Sequence, residues 1–291
     1  MTENLEPDRG SLSLLIQRCR NFLSDTTEMC MLVTEERMHD IEGLAYYLKA
    51  LLSSVEMTSQ SVLILIEQGR LWDADSLVRS VFEGTVKFAY LSYGDKADIQ
   101  DRLQQYSVDL SQIARLKEHD RVSAFRDAVG GQLEAEWRGL VDLLLTTEEI
   151  DDLRNKYPRS MRRILEQRWS FHGIIEALAA SGKGELSHIT NLFINYGLSS
   201  HVLHQDADGV VAVWERGLRE PHRREAVELA HAGRMISDLA VAMLIRYVMA
   251  ILGMHPPDKK VFKRYAEISR RATAYGKRFT EVEYGGGRRD A

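Results

Sequence analysis

The near-absence of proline is the feature that most constrains how this chain can fold. Its 291 residues contain only five prolines: Pro7, Pro158, Pro221, Pro256 and Pro257. Proline removes a backbone donor and clashes with the preceding helical turn, so it interrupts helices more strongly than other residues do. The long stretches between these positions can therefore form long helices, and the sequence shows no internal repeat or low-complexity tract that would indicate another architecture.

Apolar residues recur at three- and four-residue steps through most of the chain. The first such series is Leu12, Leu15, Ile16, Cys19 and Phe22. This spacing is typical of an amphipathic helix. Further helices are predicted over 35–54, 58–67, 72–93, 98–116, 174–180, 186–204, 221–252 and 258–275, and one short extended piece over 210–214. We therefore predict an all-α fold, a multi-helix bundle with long antiparallel helices.

The distribution of charge and apolar residues also predicts the domain organisation. We expect one helical domain over 11–278, preceded by a flexible N-terminus over 1–10 and followed by a disordered tail over 279–291. Within 120–170 the apolar density falls and charged residues dominate, which predicts a more exposed helical connection. The final GGGRRDA has nothing apolar to pack against a core.

Composition limits the classes of partner and compartment. The net charge of -5 and pI near 6.0 provide no global basic surface for DNA. The two cysteines, Cys19 and Cys30, form no CxxC pair, and the N-terminus does not resemble a secretory signal, so we expect a cytoplasmic protein. Asp238 and Arg246 interrupt the most membrane-like stretch, 236–252, which predicts a buried core helix and no membrane partner.

A column of polar residues on one predicted helix is the first candidate site. Arg79, Glu83 and Lys87 are each four residues apart and share a helix face, with Tyr90 three residues further on. Such a column can hold a buried acid or bind an anion. It can equally be an exposed ladder of alternating charges, so both interpretations stay open.

The second candidate site is a polar cluster formed by Tyr196, Ser200, His201, His204, Asp206 and Asp208. His201 and His204 with the two aspartates could coordinate a divalent metal, because imidazole and carboxylate are common ligands. The spacing matches no zinc motif, however, and aspartates before Gly209 also suit a turn. We predict no cofactor, and keep the metal site as an alternative.

Two segments carry a resemblance to a known family. The segments LILIEQGRLWDADSLVRSVFEGTVKFAYL and YGLSSHVLHQDADG resemble a widespread bacterial family catalogued as domain of unknown function 5677. In that family a helix carries an arginine and a glutamate one turn apart, and a Ser-x-x-x-His follows later; Arg79, Glu83, Ser200 and His204 match here. The resemblance covers about 11–251. It implies a helical bundle in which the two motifs converge on one pocket, and it implies no particular activity.

A more distant analogy connects the chain to the HEPN ribonucleases, helical bundles in which four to six residues separate an arginine from a histidine. Arg224 and His231 have that spacing. In that chemistry the histidine acts on the ribose hydroxyl and the arginine stabilises charge on the phosphate. Phosphate loops, GxSxG elbows and CxxC pairs are missing, which argues against kinases, hydrolases of the serine type and dinucleotide enzymes.

Three functions follow as hypotheses. The first is an RNA-directed nuclease or a defence- or toxin-type effector, with Arg79, Glu83 and His204 as catalytic residues. Its binding residues would be Lys87, Tyr90, Tyr196, Ser200 and His201. The second is a non-catalytic module that binds a protein or a small anionic ligand, and the third is a metal-dependent hydrolase. We also expect a homo-oligomer, because long apolar helices often pack against a symmetry mate.

Overall fold

A computed structural model describes residues 7–130, 137–181, 189, 196, 203–253 and 256–285 of the chain. The described residues form helices and no strands, so the predicted all-α helical bundle is confirmed. The chain divides into two compact units. The first comprises Met1–Tyr93 and Leu178–Ala291, and the second Gly94–Ala177.

The helices are numbered here in chain order. The first three are α1 (Arg9–Met38), α2 (Leu44–Glu67) and α3 (Leu71–Ser92). They are followed by α4 (Lys96–Gln104), α5 (Leu110–Ala128), α6 (Arg138–Val141), α7 (Thr147–Lys156), α8 (Arg159–Arg168) and α9 (Phe171–Ala180). The last three are α10 (Ala207–Leu218), α11 (Pro221–Ile251) and α12 (Lys259–Tyr284).

Helix α11 forms the centre of the first unit. It packs against α1, α3 and α12, and α2 completes the bundle by packing against α1 and α3. Buried side chains occur on several sides of α11, as expected for a helix surrounded by others. The stretch 236–252 is thus part of a buried core helix, as its interrupting charges predict.

One helix of the described residues, α2, is long and apolar enough to cross a membrane. Core helices of proteins that never enter a membrane pass the same test. The buried residues of α2, from Leu44 to Ile66, lie on the side that packs against the neighbouring helices. In the structure 33% of the most apolar window of α2 is buried.

Several helix ends differ from the sequence-based expectation. The extended piece predicted over 210–214 is wrong, because these residues lie inside α10. Asp206 is the N-cap of α10, and its Oδ1 accepts a hydrogen bond of 2.9 Å from the Gly209 amide, which favours the helix at this point. Helix α12 continues to Tyr284, beyond the predicted start of the tail at 279. Pro221 occupies the first turn of α11, where its missing amide costs no hydrogen bond.

Arg37, in the last turn of α1, connects three helix ends of the first unit. Its guanidinium donates to the carbonyl oxygens of Met249 and Ala250 near the end of α11. It also donates to the Ser92 carbonyl at the end of α3, over 2.9 Å. A cation is favourable at these positions because the final carbonyls of a helix lack internal donors and carry partial negative charge.

Arg246 of α11 is an unusual member of the core, because only 1% of its surface is exposed. Its Nη1 donates to the Thr85 hydroxyl of α3 over 2.6 Å, and its Nη2 lies 3.4 Å from the Met243 sulfur. Its Nε has no hydrogen-bond partner among the described residues. Burial lowers the pKa of Arg246 to about 10, which reflects the cost of a charge in this interior.

The second unit contains a continuous helical segment that runs from α4 to the end of α5. Helices α4 and α5 are joined without a break by a π-helical segment, Gln105–Asp109. Helix α5 packs against α7 and α8 through a cluster formed by Ile113, Leu116, Leu153, Tyr157 and Leu165. The π-helical segment also supplies polar partners to this unit, since Gln105 accepts a 3.0 Å hydrogen bond from the Trp169 indole.

Candidate functional site

The first polar cluster is built on α3. Arg79 and Glu83 lie one turn apart, and the Arg79 Nε donates to Glu83 Oε1 over 3.3 Å. Only 19% of the Arg79 side chain is exposed, compared with 36% for Glu83. The pair therefore lies at the border between core and solvent, and Glu83 fixes the direction of the Arg79 guanidinium.

Two residues from a distant part of the sequence complete this arrangement. The Tyr196 hydroxyl donates to the same Glu83 Oε1 over 3.0 Å, and the Arg79 guanidinium carbon lies 4.4 Å from the centre of the Tyr196 ring. The His204 Nε2 lies 3.5 Å from Arg79 Nη1. We call these four residues, Arg79, Glu83, Tyr196 and His204, the Arg79 cluster.

The electrostatics of the Arg79 cluster suit an anion that arrives from solvent. Burial raises the pKa of Tyr196, and the negative charge of Glu83 raises it further, so the phenol keeps its proton at neutral pH. His204 is exposed and lies next to the one cationic side chain of the four. A guanidinium on a tyrosine face with an adjacent imidazole presents both a charge and a proton acceptor to a ligand.

The other residues of the predicted site have different positions. Lys87 continues the same face of α3 and is half-buried, whereas Tyr90 is buried. Ser200 and His201 lie outside the described residues. The sequence-based expectation drew Arg79, Glu83, Tyr196 and His204 from two separate motifs. In the structure Glu83, Tyr196 and His204 each contact Arg79.

The alternative metal site has limited support. Asp206 is engaged as the N-cap of α10, through its hydrogen bond from Gly209. In the parts of the chain that the structure describes, no group of three or more His, Cys, Asp and Glu side chains could hold a metal ion. One of the proposed ligands, His201, is not among these residues.

A second and more deeply buried polar cluster was not predicted. Asp75 of α3 and His231 of α11 are 3% and 8% exposed, and their Oδ2 and Nε2 atoms are 3.0 Å apart. Arg234 bridges two carboxylates, with 2.5 Å to Asp75 Oδ1 and 2.7 Å to Asp238 Oδ2. We call Asp75, His231, Arg234 and Asp238, together with Arg216 and Trp72 described next, the Asp75 cluster.

Arg216 of α10 completes the Asp75 cluster. Its Nη1 lies 2.7 Å from His231 Nδ1, and its guanidinium carbon lies 3.9 Å from the centre of the Trp72 ring. The Trp72 and His231 rings also meet edge to face at 5.0 Å. Burial lowers the pKa of Arg216 to about 10.

Burial also explains the charge states of Asp75 and His231. Burial lowers the pKa of His231, and the nearby charges of Arg216 and Arg234 lower it further. The hydrogen bond and charge of Asp75 raise it, but by less. Burial alone would raise the pKa of Asp75, but the hydrogen bond from His231 and the charge of Arg234 outweigh it and lower the value to about 2. Asp75 is therefore ionised and His231 neutral at physiological pH.

Short-range sequence patterns indicate little of the Asp75 cluster. The spacing of Arg224 and His231 predicts a pair, but Arg224 is exposed and donates to the Gly217 carbonyl over 3.5 Å. The imidazole instead contacts Arg216 and Asp75. Asp75 resembles an ordinary first-turn acid, and its partner His231 is far away in sequence. The sequence feature that could indicate this cluster is the presence of Asp75 within a mostly apolar helix face.

Comparison with known proteins gives one family. A search of curated proteins and a search of solved structures find no match to this chain. A family model, described as a family of unknown function (DUF5677), matches residues 45–216. The matched range is narrower than the 11–251 over which the sequence resembles the family, but it contains both motifs of the Arg79 cluster. Because the model covers more than half of its length, the chain belongs to the DUF5677 family of unknown function.

Proposed function

We propose that this protein is an RNA-cleaving enzyme, an effector of the toxin or defence type, with the Arg79 cluster as its active site. The observation that carries the proposal is the 3.5 Å separation of Arg79 Nη1 and His204 Nε2, which come from two motifs 125 positions apart. A phosphate-binding cation and an acid–base group side by side are the minimum required for phosphodiester cleavage.

The geometry suggests which nitrogen of His204 acts. An arginine N–H can only donate, so His204 Nε2 accepts from Arg79 and carries a lone pair there. The contact is long for a hydrogen bond, which leaves it easily replaced by a substrate. A phosphate oxygen would take up the Arg79 donor, and the His204 lone pair would then face the ribose hydroxyl.

The proposed reaction is transesterification within the RNA. The 2′-hydroxyl oxygen attacks phosphorus and forms a new O2′–P bond, while its proton passes to His204. The P–O5′ bond breaks, and the leaving 5′-oxygen takes a proton from water. The resulting hydroxide removes the proton from His204, so the enzyme is restored. The products are a 2′,3′-cyclic phosphate and a 5′-hydroxyl end.

The remaining two residues would position Arg79. Glu83 holds its Nε, and Tyr196 lies against the face of its guanidinium while donating to the same carboxylate oxygen. Charge on the phosphate oxygens increases during the attack. A guanidinium whose direction is already fixed can stabilise that charge without reorganising, which is the effect that makes preorganised cations catalytic.

The test is incubation of the purified full chain with total bacterial RNA and with a single-stranded RNA oligonucleotide, in the presence of EDTA. His204→Ala should lower the cleavage rate roughly 100- to 10,000-fold, and Arg79→Ala roughly 100- to 1,000-fold. Matched controls are His222→Ala and Arg70→Ala, since both residues are exposed and lie outside the cluster. These should retain the parental rate.

The products distinguish the mechanisms. A 2′,3′-cyclic phosphate end is expected, and an oligonucleotide with deoxyribose at the cleaved position should resist. Full activity of His204→Ala would refute the assignment. Cleavage that appears only with added manganese or zinc would favour the metal-dependent hydrolase instead.

A second candidate function is a non-catalytic protein-binding module, and the surface of α10 favours it. Trp214 and Leu218 are 71% and 69% exposed, and Val210 and Val211 are about half exposed. Apolar side chains clustered on one exposed helix often mark a protein contact. If this second function is correct, Arg79 and Glu83 are structural, and Arg79→Ala would lower the melting temperature. No RNA would then be cleaved, either in EDTA or with added manganese or zinc.

A further inference from the structure

A cavity of about 450 Å³ adjoins the Asp75 cluster. Its volume lies within the range of known small-molecule sites, roughly 300–1,000 Å³. The walls are mainly apolar, with Val227, Ala230 and Phe279 among the lining residues. The polar lining residues are Asp75, Asp208, Arg216, His231 and Arg234. Apolar walls with a few convergent polar groups are the usual composition of a ligand pocket.

The two arginines at this cavity differ in how their charge is balanced. Arg234 contacts two carboxylates, Asp75 and Asp238, and its positive charge is therefore matched within the protein. Arg216 contacts an imidazole and an indole ring. Among the residues that the structure describes, Arg216 forms no ion pair with a carboxylate.

The hydrogen bonds fix the imidazole as a neutral group. Arg216 can only donate, so His231 Nδ1 accepts from it, and the proton of the imidazole lies on Nε2, which donates to Asp75. This tautomer gives Arg216 no charged partner in direct contact, and the carboxylates of Glu228 and Asp75 raise its pKa only from further away. A partly buried charge without an ion-paired partner is costly, and an anionic ligand would supply that partner.

Trp72 gives the guanidinium its orientation. The Arg216 guanidinium carbon lies 3.9 Å from the centre of the indole, and its Nη1 contacts His231 Nδ1. A guanidinium held by two such contacts keeps further N–H donors for a ligand, and the guanidinium fork matches a carboxylate or a phosphate. Little side-chain freedom would be lost when an anion binds.

We propose that this cavity binds a small organic anion, whose carboxylate or phosphate head contacts Arg216 and whose apolar body lies beside Phe279. The site is distinct from the Arg79 cluster, and its occupancy does not depend on any cleavage of RNA. Two acids, Asp75 and Asp208, also line the cavity and carry the same sign of charge as the ligand. The charge of Asp75 is matched by Arg234, while Asp208 is exposed, so solvent and salt screen its repulsion of the ligand.

Isothermal titration calorimetry of the full chain with four probes tests the proposal. Phenyl phosphate and benzoate combine an apolar ring with the two alternative heads, inorganic phosphate lacks the ring, and phenol lacks the charge. We expect phenyl phosphate, benzoate or both to bind, more tightly than inorganic phosphate or phenol. The better of the two organic anions identifies the preferred head.

Four variants locate the binding. Arg216→Gln should weaken the better probe roughly 10- to 100-fold, the usual range for loss of a charged hydrogen-bond partner. The matched control Arg224→Gln removes an exposed arginine of the same unit and should bind like the parent. Ala212→Phe places a ring in the cavity while retaining Arg216, and should abolish binding. Asp208→Asn removes the opposing charge and should tighten binding.

Three results would overturn the proposal. Phenol binding as tightly as phenyl phosphate would mean that the cavity selects for apolarity alone. Undiminished binding by Arg216→Gln, or by Ala212→Phe should Arg216→Gln fail to fold, would place the anion elsewhere. No heat from any of the four probes would mean that the cavity does not take small anions.

Discussion

The Nε2 of His231 lies 3.0 Å from the Oδ2 of Asp75 and joins α11 to α3 inside the first unit. Neither side chain is more than 6% exposed, and Arg234 occupies the second oxygen of the same carboxylate. Asp75 thus accepts from two donors on one neighbouring helix. Its negative charge is the group on which the remaining members of the Asp75 cluster depend.

Loss of this carboxylate should be strongly destabilising. Asp75→Ala leaves Arg234 with one carboxylate fewer and His231 without an acceptor, so we expect the free energy of unfolding to fall by about 3–5 kcal/mol. The neighbouring Asp73 is exposed in the first turn of the same helix, and Asp73→Ala should cost less than about 1 kcal/mol. Urea unfolding of both variants, followed by circular dichroism, makes the comparison. Equal losses would mean that Asp75 contributes no more than a surface acid.

Stability should also decrease on mild acidification because of His231. Burial lowers its pKa below 6.5, so between 6.5 and the lowered value the unfolded chain binds a proton that the folded chain does not. The stabilising contribution of neutral His231 is therefore complete above pH 6.5 and is lost as the pH falls through the lowered pKa. Asp75, Arg216 and Arg234 face this imidazole, and the lowered pKa of Asp75 keeps it ionised throughout this range.

The check is urea unfolding of the parent and His231→Gln at pH 7.5, 6.5 and 5.5. The parent should lose more stability across this range than the variant. His222→Gln, which changes an exposed histidine near the start of α11, should follow the parent. Parallel curves for the parent and His231→Gln would show that another group controls the pH dependence.

Replacement of Arg246 by an apolar residue of similar length should stabilise the protein. Arg246 is buried without an ion pair in the described part of the chain, and its Nε lacks a hydrogen-bond partner there. Thr85 would retain a partner in Arg246→Met, because its hydroxyl also donates to the Val81 carbonyl over 2.7 Å. We expect a gain of about 1 kcal/mol or more in Arg246→Met, and a loss of about 2–5 kcal/mol in Arg246→Ala, which leaves a cavity. A loss in both variants would mean that the charge has a compensating partner.

Gly84 and Gly233 lie where two helices approach closely, and alanine at either position should lower stability. A second substitution should restore stability only at Gly84. A Cβ on Gly84 would collide with the Val55 side chain of α2, whereas a Cβ on Gly233 would lie 2.9 Å from the Ala272 carbonyl oxygen of α12. Gly84→Ala and Gly233→Ala should each cost about 1–3 kcal/mol. Adding Val55→Ala should relieve the Gly84→Ala clash, because the obstacle there is a side chain.

The matched control is Gly276→Ala in α12, where a new Cβ would meet no atom within 4 Å. This change should stabilise the helix by about 0.5–1 kcal/mol, since alanine loses less backbone entropy than glycine. Thermal unfolding of the parent, the three single glycine variants and the double variant Gly84→Ala with Val55→Ala gives the order of stabilities. A Gly233→Ala variant as stable as Gly276→Ala would mean that α11 and α12 can separate freely.

The fold class followed from local features of the sequence. Proline scarcity and three- and four-residue apolar spacing act within single helices, and both are visible without knowledge of the partners. The break expected between the helices over 35–54 and 58–67 is absent. The hydroxyls of Thr58 and Ser59 are accommodated inside α2, where they donate to the carbonyl oxygens of Ser54 and Val55. The extended piece over 210–214 was an error of a similar kind, since valines that favour strands are overridden by the N-cap at Asp206.

The two polar clusters differ in how far the sequence predicts them. Arg79 and Glu83 share one helix face, so their spacing predicts the pair. His204 is visible as part of a polar cluster in the sequence, and the family resemblance supplied the expectation that the two motifs converge. The approach of Asp75 to His231 and Arg216 depends on how α3, α10 and α11 pack, and no short-range spacing encodes that. Asp238 and Arg246 lie in a predicted apolar helix face, where they argue against a membrane span. Charged residues in such a face also indicate buried polar partners.

The π-helical segment Gln105–Asp109 gives chain length a structural role in the second unit. A π turn contains one residue more than the α-helical turn that it replaces. Because the extra residue is taken up inside one widened turn, a chain shorter by one residue at this point would run as a continuous α-helix with α5 presenting the same face. Ile113 and Leu116 would still pack against Leu153, Tyr157 and Leu165. One residue lost from an uninterrupted α-helix instead rotates all the following side chains by about 100°. The π-helical segment is therefore a place where this unit can lose a codon and keep its core pairing.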